Sequence, residues 1–315
     1  MMIIIITVML AGCGRSGYEM PYDYKTRMSA FTFSSFNSED TASPFASGIC
    51  VADPADNESN LSGVAAAGLF DINSKYTVYS QNVHNKLYPA SLTKVMTALL
   101  ALKYGHLEDM ITASSNVRIS EQGAQVIGLK EGDRLTLDQA LHALLMYSGN
   151  DVSIAIAEYI SGSVDEFCSL MNKEAMLLGA TNTHFVNPHG LSDEDHYTTA
   201  YDLYLIFNEA LKYEKFREII SMSEYTTSYS DRDGNPKTMN LTNSNLYLTQ
   251  EKPSPDGISI IGGKTGTTNM AGSCLILLSN DQKGDPYISV ILKADDRDTL
   301  YGRMNTMFEE IPGIY

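Results

Sequence analysis

Two textures divide this chain, and their order limits the folds open to it. β-type runs stand at both ends, and residues 91 to about 220 between them are mainly helical. Residues 64–71 are apolar, Asn73-Ser74-Lys75 is turn-like, and residues 76–80 resume β-type side chains, a hairpin signal. Three more β-like runs follow the helical stretch, at 258–268, 273–279 and 287–293, the last two joined by a polar loop at 280–285. Residues 225–229 alternate before a strong turn at Asp231-Arg232-Asp233-Gly234-Asn235, while 107–127 and 241–248 show no regular period. Apolar spacing predicts helices over 91–104, 137–145 (capped by Thr136), 152–160, 164–178 and 199–213, with a closing helix at 299–310. Strands from both termini around a helical insert predict an α/β (α+β) domain. Its antiparallel sheet is built from both chain ends and flanked by helices.

At 315 residues the chain is long enough to bury a full core. With 38 acidic against 22 basic residues its formal charge is −16, which argues against nucleic acid as a partner, since phosphate binding needs a basic face. The opening residues, Met-Met-Ile-Ile-Ile-Ile-Thr-Val-Met-Leu-Ala-Gly-Cys, form an apolar run too short to span a bilayer but suited to a secretory signal. Leu10-Ala11-Gly12-Cys13 resembles the bacterial lipobox, which makes Cys13 the expected lipidation site, although no Lys or Arg precedes the run. Residues 14–60 are rich in Ser, Asn, Asp, Thr and Ala and read as a flexible linker, so 61–315 is the expected folded domain. Of the other cysteines, Cys168 and Cys274 sit in apolar company and read as buried free thiols, and with Cys50 they allow at most one bridge. No Cys/His spacing points to a metal, and nothing points to an organic cofactor.

The chemistry is expected around Pro89-Ala90-Ser91-Leu92-Thr93-Lys94. Positions i and i+3 share a helix face, so Lys94 is within reach of the Ser91 hydroxyl. A hydroxyl needs a base beside it to act as a nucleophile, and a lysine is a base only where burial lowers its pKa. The apolar residues after Lys94 could supply that burial. Taken alone, the pair also fits a helix cap followed by a solvated lysine. Ser148-Gly149-Asn150, between two predicted helices, and Lys264-Thr265-Gly266, after Gly262-Gly263 in a β-run, follow in the same order as the motifs of penicillin-binding proteins and class A β-lactamases.

The chain resembles the serine-type D-alanyl-D-alanine carboxypeptidases, low-molecular-weight penicillin-binding proteins with a β-lactamase/transpeptidase-like fold. The likeness includes Pro89 to Ala98, Asn187-Pro188-His189-Gly190-Leu191 with His196 to Leu203, and Gly262 to Thr268 with Ala271-Gly272-Ser273. It implies that Ser91 attacks the penultimate D-alanine of a peptidoglycan stem peptide and that Lys94 takes its proton. Ser148 and Asn150 complete the hydrogen-bonded set. Lys264, Thr265, Gly266 and Thr267 line the substrate strand, with the N–H groups of Ser91 and Thr267 as the oxyanion hole. Arg297 stands where the family often has an arginine facing the substrate carboxylate, and the Pro-His-Gly segment with His189 is structural. β-Lactams are the implied inhibitors and the outer face of the cytoplasmic membrane or the wall space the implied location. No second domain or membrane helix follows the last predicted helix, which leaves a lipid on Cys13 as the expected anchor.

The alternatives share this chemistry. An endopeptidase cutting peptide cross-links would use the same serine. A class A β-lactamase would show Glu-x-x-Leu-Asn after the second motif, which is absent between Asn150 and Lys264, and Ser-Asp-Asn in place of Ser-Gly-Asn. A non-catalytic β-lactam sensor would show a broken motif, and all three are intact.

Overall fold

The computed structural model describes residues 49–50, 60–311 and 313. Cys13, the expected signal and most of the expected linker lie outside the described residues. The chain enters through strands β1 (Val64–Asp71) and β2 (Tyr76–Gln81), which form the expected hairpin. A 3-10 turn (Ala90–Thr93) leads into helix α1 (Lys94–Tyr104). Two short strands, β3 (Met110–Thr112) and β4 (Arg134–Thr136), precede α2 (Leu137–His142), which continues as a π turn to Tyr147. Helices α3 (Asn150–Ser161), α4 (Val164–Leu177), α5 (Ala200–Ala210) and α6 (Glu214–Ser221) follow. The chain then forms the hairpin β5 (Glu224–Ser230) and β6 (Pro236–Thr242). Strands β7 (Ser259–Thr268), β8 (Gly272–Asn280) and β9 (Pro286–Ala294) and helix α7 (Arg297–Phe308) close it.

The main sheet has the order β2-β1-β9-β8-β7, all antiparallel, so the first and last strands of the chain meet in its middle. Its two faces serve two cores. Ile288, Val290 and Leu292 of β9 point into a core shared with α1 and α5, and Tyr287 and Ile291 point to a second one under α7. Burial on both faces is why β8 and β9 read as nearly continuous apolar runs. The position of β7 is the functional outcome. It is an edge strand, and it runs beside the turn that carries Ser91.

Two parts of the fold are not what the sequence predicts. β3, β4, β5 and β6 make a second, four-stranded sheet. Two of its strands have only three residues, too few to show a period, and β4 meets β5 through Arg134 and Ser230, far apart in the chain. Helix α6 is also additional. Its buried residues Phe216, Ile219 and Ile220 have helical spacing, but only over two turns. In the predicted linker, Ile49 and Cys50 lie against the domain. Cys50 is buried, its thiol donates to Tyr204 Oη at 2.9 Å, and its carbonyl accepts from Tyr201 Oη at 2.7 Å. Cys50, Cys168 and Cys274 are all buried free thiols.

The caps follow the sequence closely. Thr136 accepts from Gln139 N, and the Gln139 side chain accepts from Thr136 N, a reciprocal capping box at the start of α2. Ser163, Thr199 and Asp296 cap α4, α5 and α7 in the same sense.

Candidate active site

Ser91 is not the first residue of an α-helix. It lies in the 3-10 turn, and the α-helix begins at Lys94. A 3-10 turn repeats every three residues, so the side chains at i and i+3 stand directly over one another. Lys94 Nζ is thereby brought to 2.9 Å from Ser91 Oγ. The turn starts at Ala90 in a left-handed conformation (φ 49°), which costs energy in a residue with a Cβ and persists only where the surroundings impose it. Thr93 Oγ1 donates to Ala90 O at 2.9 Å. His196 Nδ1 accepts from Val186 N, so its proton is on Nε2, which donates to Thr93 Oγ1 at 2.8 Å. Burial pushes the His196 pKa down to about 4, which keeps this relay neutral and fixed.

Lys94 is fully buried and touches three oxygens. Nζ lies 2.7 Å from Asn150 Oδ1, 2.6 Å from His189 O and 2.9 Å from Ser91 Oγ. Two of these are pure acceptors and take two N–H groups. The third is a hydroxyl, able to donate in return. A neutral amine therefore has its lone pair facing the Ser91 proton. Burial holds the Lys94 pKa well below the usual lysine range, and the charge of Lys264 lowers it further. Asp151 acts in the opposite sense and more weakly.

Lys264 lies on β7, buried, with Nζ donating to Thr265 O at 2.8 Å, and burial lowers its pKa to about 7. Close approach of β7 to Ser91 requires Gly266. A Cβ there would lie 2.8 Å from Ser91 N and 3.1 Å from Ala90 Cβ. Gly190, at φ 87°, closes the other side, where a Cβ would lie 1.9 Å from Ala90 O. The rest of the Pro-His-Gly segment is held by its backbone: Pro188 O accepts from Thr97 and His189 O from Lys94. Burial depresses His189 to about 3, and its Nδ1 accepts from Leu191 N. It supplies a backbone oxygen to the site and its ring is spent on the loop.

Ser148 occupies the left-handed region (φ 68°) at the end of the π turn. Its Oγ is buried and has no hydrogen-bond partner among the described residues, yet it lines a cavity of about 620 Å³ together with Ser91 and Asn150. Thr265, Gly266, Thr267 and Arg297 line the same cavity, and Arg297 is exposed in the first turn of α7. The structure thus gathers every predicted residue of the described region around one cavity, with Lys94 and Lys264 buried behind its lining. The described residues hold no cluster of metal-ligating side chains.

Three contributors escape the sequence reading. Ser244 Oγ lies 2.5 Å from Thr265 Oγ1. Loop residues Glu121 to Gln125 form one wall of the cavity, and Gln125 O accepts from Asn150 N at 2.8 Å. Asp151 anchors that loop. Its buried carboxylate accepts from the backbone N–H groups of Ile127, Gly128, Leu129 and Val152 at 2.9–3.2 Å. Its place directly after Ser-Gly-Asn was the available signal. Ser244 and the loop carry none.

Residues 57–296 match the family described as D-alanyl-D-alanine carboxypeptidase. The chain is 39% identical over 216 residues to D-alanyl-D-alanine carboxypeptidase DacF of Bacillus subtilis, covering 67% of this chain and 52% of the relative. It is 33% identical over 236 residues to DacC of Escherichia coli, covering 72% and 55%. The chain spans about half the length of the first of these curated relatives. A mutant of a Streptomyces DD-transpeptidase superposes with a TM-score of 0.73 at 25% identity, over 79% of this chain and 97% of that one.

The four hydrogen bonds to Asp151 are charge-assisted, so Asp151→Ala should lower unfolding free energy by about 3 kcal/mol or more. Asp151→Asn, which keeps one acceptor oxygen, should fall between the two. Thermal unfolding followed by circular dichroism measures both, and an unchanged melting temperature in Asp151→Ala would contradict the anchoring.

Proposed function

The chain belongs to the serine-type D-alanyl-D-alanine carboxypeptidase family, and we propose that it removes the terminal D-alanine from peptidoglycan stem peptides through an acyl-enzyme on Ser91. The observation that carries this reading is the fully buried amine of Lys94, 2.9 Å from the Ser91 hydroxyl at a cavity wall. A lysine so placed acts as a base, and a serine so paired acts as a nucleophile.

In the proposed reaction the neutral Lys94 takes the Ser91 proton as Oγ bonds to the carbonyl carbon of the penultimate D-alanine. The N–H groups of Ser91 and Thr267 hold the developing oxyanion. The C–N bond then breaks, and the proton passes by way of Ser148 to the leaving amine. The unpartnered Ser148 hydroxyl supports that role, since it is free to bond to substrate. Asn150 fixes the Lys94 amine. Lys264, Thr265 and Arg297 receive the terminal carboxylate, and the substrate backbone pairs with β7 at Gly266. Water, deprotonated by the same base, attacks the ester, releasing the shortened peptide as a carboxylate and restoring the Ser91 hydroxyl. A β-lactam would acylate Ser91 and remain, because its amine stays tethered after the ring opens.

The same proposal places the enzyme outside the cytoplasm. Residues 1–13 would be the signal, 14–60 a linker docked on the domain at Ile49 and Cys50, and 61–315 the catalytic domain, with a lipid on Cys13 as the membrane link. No helix among the described residues is long and apolar enough to cross a membrane.

Labelled penicillin should attach covalently to the wild type and not to Ser91→Ala. The wild type should also release D-alanine from a peptide ending in D-Ala-D-Ala. Equal labelling of the two proteins would overturn the assignment. kcat/KM reports the free enzyme, so it should fall at low pH as Lys94 gains a proton and fall again as Lys264 loses one above about 7. Lys264→Arg keeps the charge through that range and should lack the alkaline limb, at lower overall activity. Finally, Cys13→Ser should move the protein from the membrane fraction to the soluble one, and unchanged partitioning would remove the lipid.

A further inference from the structure

The crossing from β3 to β4, residues 113–133, carries one wall of the cavity and has little regular structure of its own. Helix α3 holds it through two carboxylates, Asp151 and Glu158, which lie about two turns apart and so share a face. Glu158 binds the start of the crossing, accepting from Ser114 Oγ and Asn116 Nδ2 at 2.6 Å each. Asp151 binds the later part and is buried. Its Oδ1 accepts from the N–H groups of Ile127 and Val152, and its Oδ2 from those of Gly128 and Leu129. A carboxylate has about four acceptor sites, so this one is saturated. A Cβ at Gly149 would lie 3.2 Å from Oδ1, so the glycine of Ser148-Gly149-Asn150 leaves room for the carboxylate.

Only one of these two pins leads to the base. Next to Asp151, the Asn150 N–H donates to Gln125 O at 2.8 Å, while Asn150 Oδ1 accepts from Lys94 Nζ at 2.7 Å. Asn150 is thus held between the wall and the amine. With Ile127 to Leu129 locked to Asp151, the wall and Asn150 cannot shift separately. The Lys94 amine in turn depends on Asn150 for one of the two acceptors that orient it.

We propose that Asp151 is a positioning residue for the base: by locking the wall to α3 it fixes Asn150, and through Asn150 it keeps the Lys94 lone pair on the Ser91 proton. The inference rests on the reading of Lys94 as the base that serves Ser91. Asp151 itself neither gains nor loses a proton in the reaction; the Ser91 proton passes to Lys94 as Oγ bonds to the carbonyl carbon. Four titratable groups act on Lys94. Lys264 of β7 lowers its pKa and Asp151 of α3 raises it, while His189 and His196, before α5, are held by burial at about 3 and 4 and stay neutral. Removing the Asp151 charge therefore has two separable effects. The misplaced amine slows acylation, and the acid limb, where Lys94 gains its proton, moves to lower pH.

The test measures the rate of acylation by labelled penicillin against pH, per active site counted from the labelling end point. It compares the wild type with Asp151→Asn, Asp151→Ala and Glu158→Gln. Asp151→Asn keeps one acceptor oxygen and turns an NH₂ towards two N–H donors, so it carries the test if Asp151→Ala does not fold. Its plateau rate should fall at least about tenfold, with the acid limb below that of the wild type. Glu158→Gln weakens the same crossing away from Asn150. It should change the rate by less than about twofold and leave the limb in place. A rate in Asp151→Asn within about twofold of the wild type, an unmoved acid limb, or an equal loss in Glu158→Gln would make Asp151 a structural anchor only and overturn the inference, with the reading of Ser91 and Lys94 left standing. A wild type that does not label would overturn that reading, and the inference with it.

Discussion

An ammonium group taken wholly out of water must find a counter-charge or give up its proton. Lys94 is in that position, and the structure withholds the counter-charge. Its polar neighbours are a carbonyl, an amide oxygen and a hydroxyl. Asp151 is adjacent in the chain to Asn150, but its carboxylate is committed to four backbone N–H groups. Its pull on Lys94 is weaker than the push from Lys264. Two lysines buried near one another cannot comfortably both be charged, and the one with the additional repulsion yields. The proposed base and cation of the site are thus set by one electrostatic competition.

Holding that geometry takes atoms with no chemistry of their own. Ser91 is placed by a turn whose first residue is strained, and the strain is retained because Gly190 and Gly266 press on it from two sides. Behind β7, a Cβ at Gly262 would lie 2.2 Å from Ile220 O, and one at Gly263 would lie 2.0 Å from Ile276 O. The glycines before Lys264 therefore allow β7 to be approached by α6 on one face and by β8 alongside. Remove that closeness and β7 stands away from Ser91, which loses the proposed oxyanion pair whatever the fate of the serine and lysine.

The sequence shows this site well because its residues come in short local strings. Ser91 and Lys94 are one turn apart, Ser148 and Asn150 flank one glycine, and Lys264 to Thr267 are consecutive. The main sheet is legible for a similar reason: β8 and β9 bury both faces and appear as long apolar runs. What is illegible is made of contacts between distant, short or polar segments. β3 and β4 have three residues each and gain their stability from β5. Ser244 sits in a Thr-Asn-Ser-Asn stretch whose composition suits any loop. Ile49 and Cys50 stand in a stretch of low-hydrophobicity composition, and contacts with distant residues such as Tyr201 and Tyr204 show where they dock.

The formal charge of −16 looks unsuited to an enzyme whose proposed substrate ends in a carboxylate. The conflict dissolves on the scale of the site. Solution charges farther away than about 8 Å are largely screened at physiological ionic strength. Recognition then depends on the few groups that touch the anion. Lys264 is buried, and burial lowers its pKa to about 7, so its charge responds to what binds beside it. An arriving carboxylate favours the ammonium, raises that pKa and draws in a proton. In the proposed reaction the cation would be created in part by the ligand that needs it. In that reaction, a carboxylate held at Lys264 would strengthen the push that keeps Lys94 neutral beside Ser91.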